Sequence, residues 1–124
     1  LARVLDLHLE LVVRRVYPEA FFGGAVAPET KAEVRDLALL AIDGVAALSA
    51  LSPYAVGSTF TYVDCVAAVH LTVVRPALAK LYDIDVSDAL PNLRPYLARI
   101  AERPSYTASM GEIHGALAAL GMAH

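Results

Sequence analysis

A single cysteine, Cys65, excludes an internal disulfide framework and fits a reducing compartment such as the cytoplasm. Basic blocks are missing as well. Ten Lys and Arg lie interspersed with thirteen Asp and Glu, for a net charge of −3, which argues against a nucleic-acid surface. No segment shows sustained apolar–polar alternation or a β-branched cluster bounded by turns, so no strand is expected. Nor is any charge-free helical run long enough to span a membrane. Gly44 to Val63 has no charge, but Ser52-Pro53, Gly57, Ser58 and Thr59 interrupt it. The uncharged run after Asp64 is about half the length a bilayer requires. The chain is therefore expected to be soluble and without a membrane partner. It shows no signal-peptide pattern, because Leu1 opens directly into a charged amphipathic segment. A first residue already inside a helical pattern suggests a piece of a longer protein.

The usual catalytic and metal-binding signatures are equally scarce. His8, His70, His114 and His124 are the histidines, and none has a His, Cys or carboxylate at metal-site spacing. There is no G-x-S-x-G elbow, no G-x-G-x-x-G and no P-loop; Gly23-Gly24 lacks both the following lysine and a preceding strand. Asp83, Asp85 and Asp88 cluster, but without the glycine and closing Glu of a calcium loop. They read as a solvated acidic loop. No metal site and no self-contained catalytic constellation is expected.

What the sequence does have is apolar bulk at helical spacing. Its 124 residues suit one domain burying roughly two-thirds of its unfolded surface. The hydrophobic fraction is 57%, much of it Ala, which suits close-packed helices better than strands. Residues 2–22 read as a first helix with Val4, Leu5, Leu9, Val12, Val13 and Val16 inward, and Arg3, Asp6, Glu10 and Arg14 on a polar stripe. Pro18 predicts a kink or break near Arg14, because its ring disfavours the carbonyl four residues back, and Gly23-Gly24 ends the helix. Pro28 opens a second helix to about Leu51, with Val34, Leu37, Ala41, Val45, Leu48 and Leu51 as its stripe. Ala38, Gly44, Ala46 and Ala47 would admit a close neighbour. The two helices should form an antiparallel hairpin.

A third helix should start at Thr61 and Asp64, whose spacing of three is that of a capping box. Phe60 and Cys65 take the two positions of a hydrophobic staple. From Cys65 to Val74 only His70 and Thr72 are polar, so this helix should be buried on nearly every side. Pro76 should kink or end it. Cys65 reads as a small buried residue under Phe60, His70 as a hydrogen-bonded core histidine, and Asp64 as a cap rather than a general acid or base. A helix from Pro91 to about Glu102 follows, with Pro95 tolerable in the first turn. A last helix carries Met110, Ile113, Leu117 and Leu120 before fraying at Gly121. Arg14, Arg15 and Tyr17 sit where the first helix loses regularity, and are candidates for lining a ligand cleft.

Two motifs carry a family resemblance. Tyr54-Ala55-Val56-Gly57-Ser58-Thr59-Phe60-Thr61-Tyr62-Val63-Asp64-Cys65 resembles the Tyr-Leu-x-Gly-x-x-Phe-Thr-x-Ala-Asp segment that opens the central helix of cytosolic glutathione transferases. Leu90 to Ser105, with Pro91, Leu93, Tyr96, Leu97, Arg99, Ile100, Arg103 and Pro104, resembles the family's next helix and joint. Ala55, Val63 and Pro95 depart from the pattern without touching the cap. The order of elements agrees too, so the whole chain, 1–124, resembles the C-terminal helical domain of that family.

The resemblance implies an all-α bundle of about five helices. It also implies that the glutathione site and the thiol-activating residue lie mainly in a preceding thioredoxin-like domain, for which there is no βαβ pattern here. The helical domain would form the wall of the hydrophobic electrophile site and part of a homodimer interface. Glutathione would be the co-substrate of the intact protein, with no cofactor bound and no catalytic residue supplied by this part, which alone would be inactive. Similar helical domains also serve as non-enzymatic assembly modules, and that is the alternative reading.

Overall fold

The computed structural model describes residues 1–119, apart from the side chains of His114, Leu117 and Ala118. Leu120, the end at Gly121, and His124 fall outside the described residues. Five helical rods form: α1 over residues 2–21, α2 over Pro28–Leu48, α3 over Tyr62–Tyr82, α4 over Leu93–Ala101 and α5 over Pro104–Ala119. A short 3-10 turn at Val86–Asp88 precedes α4. Among the described residues there is no strand.

The rod α1 is helical throughout but changes its winding along its length. It is π-helical over Val4–Glu10, α-helical over Leu11–Val13, 3-10 over Arg14–Val16, and α-helical again over Tyr17–Phe21. The 3-10 turn falls where Pro18 disturbs the ladder. Pro18 has no N–H for the Arg14 carbonyl, and the Tyr17 N–H takes that carbonyl instead, one residue early. Gly23, at φ +71°, then turns the chain, and Gly24 N–H donates to the Pro18 carbonyl at 2.8 Å.

Glu19 fixes the joint to α2. It accepts from the Val26 N–H at 3.1 Å and from Lys31 at 2.6 Å. α2 runs antiparallel to α1, with Arg15 reaching Glu33 near one end and Val4 lying against Gly44 near the other. Its buried stripe is Val34, Ala38, Ala41, Ile42 and Val45. This shifts the expected one: Leu37 and Leu48 are exposed, and Ile42 takes their place. Ala38 is a point of close packing, whereas Ala46 and Ala47 face outward. The helix also stops at Leu48, before the expected Leu51. Leu51 lies in the following loop at φ +53°, buried, with its N–H held by the Ser49 hydroxyl at 3.0 Å.

The central rod is α3, which packs against α1 and α4. It buries Asp64, Ala67, Ala68, Leu71, Val74, Ala77 and Leu78. Of the two outcomes expected at Pro76, a kink or an end, the end does not occur: Pro76 is exposed and the helix continues to Tyr82. Because it continues, Tyr62–Tyr82 is long and apolar enough by length and composition to cross a bilayer, although within it only Cys65 to Val74 forms a long charge-free run. Nor is α3 enclosed on every side: Tyr62, Cys65, Val69 and Val73 form an exposed row. Asp83 ends the helix in the left-handed conformation at φ +55°.

Pro95 lies in the first turn of α4, where its missing N–H costs nothing. That helix buries Leu93, Tyr96 and Ile100 against α3. The core therefore lies between α3 and the helices α1 and α4 packed on it, with α2 laid on α1, and the 49–61 loop adds buried Leu51 and Ala55.

Candidate functional site

The start of α3 is built around one carboxylate. Asp64 is fully buried, and its two oxygens take three donors. Oδ2 accepts from the Thr61 N–H at 2.9 Å; Oδ1 accepts from the Ala55 N–H and from the Tyr96 hydroxyl, both at 2.8 Å. The two halves of the capping box are unequal. Both halves are in place, but only the carboxylate half closes as a full hydrogen bond, and the buried Thr61 hydroxyl faces the Asp64 N–H without one. Phe60 packs edge-on to Tyr54 at 6.1 Å, and the Arg103 guanidinium lies 3.6 Å above its ring. Cys65 is exposed, which corrects its reading as a buried residue under Phe60. A position at the fourth residue of a helix faces the staple only if the chain before the cap folds back over it. Here Phe60 turns to Tyr54 and Arg103 instead.

His70 sits half-buried on α3 with Nε2 2.5 Å from Asp6 Oδ1, so it joins α3 to α1. His8 is exposed. Asp85 accepts from the Ser87 N–H at 2.9 Å and lies 3.4 Å from Arg94, and these contacts hold its carboxyl below the usual range, the Ser87 N–H foremost. Among the described residues, no group of three His, Cys, Asp or Glu side chains could hold a metal. A concavity of about 350 Å³ opens between α3, the Asp83–Asp85 loop and α4, with Arg75 and Arg94 in its lining. It does not include the α1 residues singled out from the sequence.

Those residues part company in the structure. Arg15 points to α2 and pairs with Glu33 at 3.3 Å, both partners exposed. Arg14 and Tyr17 lie on another face of α1 with Glu10 and Phe21, at spacings of four, three and four. Glu10 is buried and holds Arg14 by two bonds: Nε to Oε1 at 3.0 Å and Nη2 to Oε2 at 2.7 Å. The Arg14 side chain is nevertheless 59% exposed. Tyr17 packs tilted against Phe21, with ring centroids 5.3 Å apart, and its hydroxyl is buried without a partner among the described residues. Burial, followed by the Glu10 charge, raises the Tyr17 hydroxyl above its ordinary value, so it is a neutral donor. Glu10 was legible only as an i, i+4 partner of Arg14 on a polar stripe. Its burial follows from how α1 docks.

A capped central helix, a helical hairpin before it and a Tyr96-bearing helix after it define an all-α domain in which the cap is structural and the first helix carries the candidate surface. A family profile described as "Glutathione S-transferase, C-terminal domain" matches residues 28–99, more than half of the chain. The chain belongs to the glutathione transferase C-terminal domain family. It is also 25% identical over 112 residues to a glutathione S-transferase of Pseudomonas putida, a match covering 90% of this chain and 51% of that protein. The chain thus spans about half the length of the curated relative it matches.

Proposed function

We propose that the intact protein is a glutathione transferase acting on hydrophobic electrophiles, with this chain as its C-terminal domain. The thiolate of glutathione attacks the electrophilic carbon, an S–C bond forms and the leaving group departs. In this reading a thioredoxin-like domain preceding Leu1 binds and ionises glutathione. The helical domain supplies the wall of the electrophile pocket from α1, with Arg14 and Tyr17 at its surface. Arg15 belongs to the α1–α2 face. The observation carrying the proposal is the family match over α2 to α4 in a chain spanning half of a transferase relative.

The homodimer contact falls on the outer side of the α1–α2 hairpin. There Leu11, Leu37 and Leu40 are exposed at 45%, 37% and 70%, beside the Arg15–Glu33 pair. An apolar centre with a charged rim is the composition of a stable interface. Glutathione is the co-substrate of the intact protein, and this domain is read as binding no cofactor of its own.

A conjugation assay tests this. The intact protein should turn over an activated chloroarene with glutathione, and the 124-residue chain alone should not exceed buffer, since in this reading the group that ionises the thiol belongs to the preceding domain. Turnover by the isolated chain would overturn the division of labour. An intact protein with no turnover and a stoichiometric protein partner would favour the assembly-module reading. Leu40→Glu should convert the intact dimer to monomer in sedimentation; an unchanged dimer would move the interface elsewhere.

A further inference from the structure

The inference rests on α1 being a wall of the electrophile pocket. A guanidinium has two edges that can each offer a parallel pair of N–H donors. Glu10 occupies the Nε–Nη2 edge of Arg14 with bonds of 3.0 and 2.7 Å. The Nη1–Nη2 edge has no hydrogen-bond partner among the described residues, and the side chain is 59% exposed against 11% for Glu10. Because the group is planar, fixing one edge aims the other. A buried carboxylate under an exposed arginine therefore sets the plane in which Arg14 can meet a ligand. Its neighbours do not compete for that edge: Arg15 is turned away onto Glu33, and Tyr17, one turn on, has its hydroxyl buried.

We propose that Glu10 is a positioning residue for Arg14, and that the free edge of Arg14 reads a carboxylate carried by the electrophile. A carboxylate fits because its two oxygens lie in one plane and match the fork, and an ionised acceptor bonds more strongly than a neutral one. Glu10 also cancels the charge of Arg14. The site thus selects by directed donors more than by net attraction of anions.

The test uses the intact protein, glutathione, and two probes: a chloronitrobenzoate and its methyl ester. In both, the thiolate adds to the ring carbon bearing chlorine, the S–C bond forms, and chloride leaves with the bonding pair. Rates are divided by the uncatalysed rate of each probe. Arg14→Met should raise KM for the acid about tenfold more than it raises KM for the ester. Arg14→Lys, which keeps the charge without the fork, should do the same. Glu10→Gln should act in the same direction, spare the KM for glutathione, and add nothing in the Arg14→Met background. Equal losses on acid and ester, or additivity of Glu10→Gln with Arg14→Met, would overturn the positioning role while leaving the transferase reading intact. Turnover of neither probe by the wild type would overturn both.

Discussion

The hydroxyl of Tyr96 donates to Asp64 at 2.8 Å across 32 residues of sequence, and neither side chain is exposed. This contact turns a helix cap into a junction of the loop, α3 and α4. A cap alone is worth about 0.5–2 kcal/mol. Removing Asp64 would also strand the Ala55 N–H and the Tyr96 hydroxyl, each at about 1–3 kcal/mol. Asp64→Ala should therefore lose about 3–5 kcal/mol in urea denaturation, and Tyr96→Phe about 1–2 kcal/mol. A loss near 1 kcal/mol for Asp64→Ala would mean that the junction contributes nothing beyond the cap.

Alkaline conditions should weaken the fold through the same residue. Burial first, and then the bond to Asp64, raise Tyr96 above its ordinary value; burial also raises Tyr17 and Tyr82. A tyrosine raised in the folded state contributes stability that is complete while the unfolded tyrosine stays protonated, below about pH 10. That stability is lost as pH climbs towards the folded value. Urea midpoints should fall above about pH 10, less steeply in Tyr96→Phe. Parallel curves for the two proteins would exclude Tyr96 as a source.

On the acid side the joint between α1 and α2 should weaken. The bond from Lys31, then that from the Val26 N–H, lower the Glu19 carboxyl below its ordinary value. A lowered carboxyl contributes stability above its unfolded value, about 4.3, and loses it as pH falls through the folded one. Glu19→Gln should thus lower the denaturation midpoint at neutral pH, and the gap should close in acid. A gap independent of pH would show that packing at the joint, rather than charge, is responsible.

Asp83 offers a stabilising substitution. It holds φ +55° at the C-terminus of α3, where a side chain is strained and a negative charge opposes the helix dipole. Asp83→Gly removes both penalties and should add about 1 kcal/mol, or about 3–5 °C in Tm. A lower Tm would mean that the Asp83 side chain makes a favourable contact outweighing its strain.

Local rules were read directly from the chain: the cap at Thr61 and Asp64, an irregularity near Arg14 set by Pro18 (which takes the form of a 3-10 turn), the opening of α2 at Pro28, the place of Pro95 in α4. Each depends on residues within a turn of one another, so their spacing carries the answer. The same holds for the helical class and the family, whose motifs are local segments. Which way each rod faces was not available locally. Leu37 and Leu48 matched the stripe of α2 by period, yet Ile42 is buried and they are not, because the register against α1 is set by Val4, Gly44, Arg15 and Glu33. Glu10 and Arg14 were visible as an i, i+4 pair, but only docking of α1 buried the one and exposed the other. Cys65 lost its cover for the same reason. Asp64 keeps its role as the cap that starts α3, and the tertiary structure alone brings Tyr96 and Ala55 to it, since burying those groups leaves its oxygens as their acceptors.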